Sequence, residues 1–115
     1  MGMGIYEEKI PCTNGKDVEC NFLKVRIYYD LGGISWATYE PKKRGYYLSV
    51  TPVVVNDYSV SFTGFTGVCM LLNEVGRQSK KGEEQAKKLM QEQKQELIDY
   101  VCNKHGITIK EKETA

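Results

Sequence analysis

The reactive inventory of the chain is small: four cysteines (Cys12, Cys20, Cys69, Cys102), one histidine (His105) and two adjacent carboxylate pairs, Glu7-Glu8 and Glu83-Glu84. Zinc would ask for four nitrogen or sulfur ligands at paired short spacings, and no C-x-x-C occurs. Free, partly buried thiols without a metal or cofactor are therefore the expectation. Neighbouring carboxylates on a strand face opposite sides, and on a helix they diverge by about 100°, so neither pair converges on a substrate as an acid dyad must. There is no nucleophile elbow, no P-loop and no G-x-G-x-x-G. Asp30, beside Gly32-Gly33, reads as a residue that hydrogen-bonds its own turn. A non-enzymatic role follows as the expectation.

Charge offers the other opening. Residues 1–40 carry four Lys/Arg against six Asp/Glu, residues 41–82 six against two, and residues 83–115 six against seven. The positive excess thus sits in the middle of a chain whose net charge is only +1, centred on Lys42, Lys43 and Arg44 with Arg77, Lys80 and Lys81 further on. Trp36, Tyr39, Tyr46 and Tyr47 stand close to the first three. Cations at a ribbon tip with planar rings behind them suit a phosphate backbone or an acidic protein patch. The competing interpretation is a solvated turn whose charges keep a sheet edge soluble.

These groups need a scaffold, and the pattern supplies one. Tyr6, Glu8, Ile10 and Cys12 alternate, then Val18, Cys20 and Phe22 alternate after Thr13-Asn14-Gly15. A three-residue loop with Gly15 left-handed pairs Ile10 with Val18 and Tyr6 with Phe22. That register separates Cys12 from Cys20 by roughly 13 Å, too far for a disulfide. After Phe22 the parity flips to Leu23, Val25, Ile27 and Tyr29, which reads as a bulge in one long bent strand ended by Asp30-Leu31-Gly32-Gly33. A third strand is expected over 34–40, a turn at Pro41 to Gly45 and a fourth strand over 46–55, with Pro52 marking a bulge or an edge. A further strand covers Tyr58 to Phe62, and the Gly64 and Gly67 corner follows. Residues 68–77 fit either helix or strand, with strand favoured by the bounding glycines.

Ser79 is a fitting N-cap, and Glu83 and Glu84 pair at i, i+4 with Lys87 and Lys88. Ala86, Leu89, Met90, Gln93, Leu97, Tyr100 and Val101 form one stripe, and Gly106 stops the helix. The polar middle, 91–96, is expected to overhang the core. Ile107-Thr108-Ile109 can add a short strand. The expected architecture is a single α+β domain over 1–109, a curled antiparallel sheet of about five or six strands packed against one long C-terminal helix, followed by a charged flexible tail over 110–115. With no apolar run of membrane-spanning length and no secretory pattern at the start, a cytoplasmic location without membrane contact is expected.

At Tyr29-Asp30-Leu31-Gly32-Gly33, at Arg44-Gly45-Tyr46-Tyr47-Leu48-x-Val50-x-Pro52-Val53, at Phe65-Thr66-Gly67 and at Ser79-Lys80-Lys81 the chain resembles small proteins carried by conjugative elements, plasmids and phages of gut bacteria. The resemblance implies a setting in which small proteins disarm host defence, including anti-CRISPR proteins that dock on a nuclease without catalysis. It implies a protein partner, a CRISPR effector nuclease among them, and carries over no catalytic residue. The balanced charge departs from the acidic DNA-mimic style of inhibitor. A nucleic-acid-binding module acting in element maintenance or transfer, and a structural or assembly subunit, are the other classes the sequence admits.

Overall fold

A computed structural model describes residues 4–34, 39–56, 60–62 and 67–110. β1 (Gly4–Pro11), β2 (Phe22–Asp30), β5 (Gly45–Val55), β6 (Val60–Phe62) and β7 (Val68–Glu74) form one antiparallel sheet, and β3 (Gly33–Ile34) pairs with β4 (Pro41–Lys42) in a separate short ribbon. The five strands occupy four positions, because β7 pairs with the first half of β5 and β6 with its last three residues. One helix, α1 (Lys80–His105), follows the last strand. The α+β architecture is therefore as expected, with the sheet open and the helix packed on one of its faces. Among the described residues, no helix is long and apolar enough to cross a membrane.

β2 shows why the sheet has two characters. Its residues alternate strictly between half-buried and buried, so Leu23, Val25, Ile27 and Tyr29 enter the core while Lys24, Arg26, Tyr28 and Asp30 face the other way. Tyr46, Leu48 and Val50 of β5 join the core beneath Ala86, Met90, Ile98 and Val101 of α1. Pro52 is buried within β5, and among the described residues it falls between the two partners on one flank, since pairing with β7 ends at Val50 and pairing with β6 begins at Val53.

The helix begins and ends where its caps dictate. The Ser79 hydroxyl accepts from Gly82 N–H at 3.0 Å, and Gly106 takes φ +67° with its N–H donating to the Cys102 carbonyl. The start is pinned to the sheet by Tyr46, whose hydroxyl donates to the Ser79 carbonyl at 3.2 Å and accepts from Ser79 N–H at 3.1 Å. Close approach here depends on Gly82, where a β carbon would lie 2.9 Å from the Tyr46 ring. Residues 68–74 are a strand, and Asn73, the lapse in their alternation, donates to the Gly82 carbonyl at 3.4 Å.

Several expectations are corrected. β1 pairs with β2 in the register Ile10↔Leu23 and Tyr6↔Ile27, not Ile10 with Val18 and Tyr6 with Phe22. The connection is the whole of 12–21, and the parity change at Phe22 marks the start of a strand instead of a bulge within one. Two distant partners explain the longer loop: Lys16 N–H donates to the His105 carbonyl at 2.6 Å and Thr13 N–H to the Thr108 carbonyl at 2.9 Å. Cys12 and Cys20 are consequently neighbours, with sulfurs 3.7 Å apart. Nor do the described residues of 34–40 pair with 46–53 as the expected ribbon: Ile34 pairs with Pro41, while β5 lies between β2 on one side and β7 and β6 on the other. The middle of α1 does stand clear of the core as expected, with residues 91, 92, 95 and 96 exposed and none of 91–96 buried, while Lys94 reaches back to form an ion pair with Glu8 of β1. The 107–109 segment adds a single bridge, Cys12↔Ile109, and Lys110 N–H donates to the Pro11 carbonyl. Residues 111–115 of the expected tail lie outside the described residues.

Candidate binding surface

The end of the molecule where β2 gives way to β3 gathers most of the candidate groups. Asp30 Oδ1 accepts from Gly32 N–H at 2.8 Å, the self-turn that its position implied. Gly32 and Gly33 follow at φ +84° and +106°, conformations closed to most side chains. This sharp reversal lets β3 and β4 fold as a minimal ribbon beside the sheet and returns Lys42 toward β2.

Lys42 lies across the open face of the sheet. Its Nζ is 2.8 Å from Asp30 Oδ2, 4.5 Å from the Tyr47 ring centre and 5.5 Å from the Tyr28 ring centre. The two rings, paired across β2 and β5, stack with centres 5.7 Å apart, and the Arg26 guanidinium sits 5.2 Å from the Tyr28 ring. Opposite charge and ring quadrupole both favour the ammonium here. Burial alone would lower the Lys42 pKa, but Asp30 and the Tyr28 hydroxyl outweigh it and raise it. Burial likewise pushes Asp30 up, and the Lys42 ammonium with the Gly32 N–H brings it below its ordinary value. Tyr28 is raised to about 12, chiefly by burial and the neighbouring Cys69.

The remaining residues separate. Lys43 is exposed and within 3.8 Å of Glu74. Arg44 is exposed but committed to backbone, its Nε donating to the Leu31 carbonyl at 2.9 Å and its Nη1 to the Gly76 carbonyl at 3.2 Å. That second bond brings the 75–77 turn, and with it Arg77, beside the basic triplet. Lys80 and Lys81 are exposed in the first turn of α1. Tyr47 lies on the open face, its hydroxyl donating to the Lys43 carbonyl at 2.7 Å, but at 6% exposure it is covered. Tyr46 is fully buried under α1 and belongs to no surface. Trp36 lies outside the described residues. The expected crown of three crowded cations on a protruding tip is thus not what forms: Lys42 is laid down on the sheet, Lys43 stands exposed near Glu74 at the end of β7, and Arg44 is tied to the backbone of the neighbouring turns.

Beside these cations the surface is apolar. Leu31 is 63% exposed, Ile34 68% and Tyr39 75%; Ile34 belongs to β3, Leu31 precedes it and Tyr39 precedes β4, and of the three the sequence pattern had placed only Tyr39 beside the basic triplet. Tyr39 also holds φ +58°, a left-handed conformation that costs a non-glycine residue about 1 kcal/mol or more. A signal was present in Leu31, an aliphatic residue in a turn otherwise built of Asp and Gly. Among the described residues, no three His, Cys, Asp or Glu side chains converge as a metal ion would require.

Compared with protein families, with curated proteins and with solved structures, the chain finds no match in any of the three.

Proposed function

We propose that the chain is a non-enzymatic binding protein that docks on a protein partner through the β3–β4 end. The observation that carries this reading is the exposure of Leu31, Ile34 and Tyr39 on and beside the β3–β4 ribbon, with Arg44 bonded to the Leu31 carbonyl and the ribbon braced from behind by the Lys42–Asp30 pair. Large apolar groups beside basic residues suit a partner with apolar pockets and acidic surroundings. The strained backbone at Tyr39 points the same way, because a ring held out at a conformational cost is a common mark of a recognition site. The resemblance to mobile-element proteins makes a CRISPR effector nuclease the partner to test first. Titrating the chain into guide-directed cleavage tests this directly. Inhibition that disappears in Ile34→Asp/Tyr39→Asp, with unchanged thermal unfolding, supports the reading; cleavage unaffected at large molar excess removes the nuclease.

A second reading, a nucleic-acid-binding module, is favoured by the exposed Arg77, Lys80 and Lys81 beside Lys43 and Arg44. Affinity for DNA or RNA that falls steeply with salt and weakens in Lys80→Ala/Lys81→Ala distinguishes it. The stacked Tyr28–Tyr47 pair offers this reading little, since Lys42 already occupies the ring faces a base would need.

A further inference from the structure

The β1–β2 connection, residues 12–21, carries a cysteine at its first position and another one residue before its last. Cys12 and Cys20 keep 1% and 2% exposure, and their Sγ atoms lie 3.7 Å apart, in van der Waals contact. A disulfide needs about 2.0 Å between sulfurs, so the remaining approach is roughly 1.7 Å, within reach of side-chain rotation and a small adjustment of the loop. The loop can supply it, for residues 13–21 contain no strand or helix. The Cys20 thiol is held by a donor contact to the Thr13 carbonyl at 3.5 Å, and its backbone N–H by the Asn14 side chain at 3.0 Å. Both contacts keep the residue turned toward Cys12.

The surroundings suit exchange between these two sulfurs better than attack by a passing electrophile. Burial pushes the Cys12 thiol up to about 12, and Cys20 and the half-buried Cys102 add to the shift. A thiol in such a site is protonated and slow with external reagents. Once either sulfur has exchanged during a loop opening, its neighbour is already placed to complete the bond. Metal binding is the poorer use of the pair, because no third ligand converges on it among the described residues.

We propose that Cys12 and Cys20 form a dithiol modification site, oxidised by a low-molecular-weight disulfide to an intramolecular disulfide that closes the β1–β2 connection. One thiol loses its proton and attacks a sulfur of the external disulfide, whose S–S bond breaks and whose other half leaves as a thiol after taking up a proton. The second cysteine, deprotonated in turn, attacks the protein-side sulfur of the mixed disulfide and expels the remaining half as a second thiol. Two protein thiols are oxidised and one external disulfide is reduced to two thiols. The new bond fastens the loop on which the end of the chain rests: Lys16 bonds the His105 carbonyl, Thr13 the Thr108 carbonyl, and Asp17 pairs with His105 Nδ1 at 2.8 Å. Oxidation therefore stabilises the fold by restricting the unfolded chain, and it closes the loop against which the last turn of α1 rests.

The sequence makes the test direct. Lys9, Lys16 and Lys24 place the two cysteines on separate tryptic peptides, 10–16 and 17–24. The full chain is incubated with oxidised glutathione, alkylated in denaturant, digested and mapped by mass spectrometry. The expected result is peptide 10–16 joined to peptide 17–24, separable by dithiothreitol, together with a rise in Tm on the order of 10 °C that Cys20→Ser abolishes. Recovery of the two peptides apart, each alkylated or each carrying glutathione, overturns the proposal, as does a link from either to Cys102. The mapping is read on the unmutated chain, so it does not depend on any variant folding.

Discussion

The helix-covered face and the open face of the sheet are made from alternate residues of the same strands, yet they hold together by different means. Under α1, Leu23, Val25, Ile27, Leu48 and Val50 are fully buried, and dispersion with removal of apolar surface from water does the work. On the other face the same strands present Tyr28, Tyr47 and Arg26, and there a lysine is laid over two rings and locked to Asp30. Two adjacent tyrosines mark the division. Tyr46 is pinned into the helix cap, whereas Tyr47 carries the cation. The difference teaches that stability is concentrated beneath the helix, while the open face is a brace that holds the β3–β4 ribbon in position.

That contrast can be broken most forcefully in the core. Leu48→Ala opens a cavity between β5 and α1 and is expected to cost about 3 kcal/mol in urea unfolding. Tyr46→Phe keeps the ring and removes both hydroxyl bonds to Ser79; about 1–2 kcal/mol and faster amide exchange over the first turn of α1 are expected. On the open face the effect should be smaller and should depend on pH. Lys42→Met keeps a stem over the rings but leaves Asp30 without its ammonium, costing about 1 kcal/mol at neutral pH. Because Asp30 titrates below its unfolded value in the native protein, its contribution is complete above about pH 4 and is lost as pH falls through the lower folded-state value. The difference between Lys42→Met and the parent should accordingly shrink in unfolding measured near pH 2; an undiminished difference there would show that Lys42 acts through its stem alone. At the ribbon, Leu31→Ser should change stability by no more than about 0.5 kcal/mol.

Local rules made the helix and the β2–β3 turn legible. Ser79, Gly106 and the Gly32-Gly33 pair each impose a backbone conformation that needs no distant partner, and Asp30 bonds two residues ahead. The 12–21 loop was not legible because its closure comes from the opposite end of the chain, at His105 and Thr108. No nearby spacing announces that. The same holds for Lys42, whose partner is Asp30 and whose resting place is made by Tyr28 and Tyr47 on two different strands. One misreading was avoidable: neighbours in a central strand face opposite sides, so Tyr46 and Tyr47 could never have lined one surface. The apolar exposure at this end was legible only in part: Ile34 and Tyr39 fall in the alternating 34–40 pattern, which reads as a strand of the main sheet, and Leu31 sits in a turn. Their exposure follows from a short ribbon set apart from that sheet.

The central claim, that the β3–β4 end is built to be bound and not to hold the fold, is tested most directly by one paired measurement on Leu31→Ser/Ile34→Ser/Tyr39→Ser. Urea unfolding and inhibition of guide-directed nuclease cleavage are read on the same preparation. The account predicts a midpoint close to the parent's and inhibition reduced at least tenfold. A large loss of stability, or inhibition that survives intact, would contradict it.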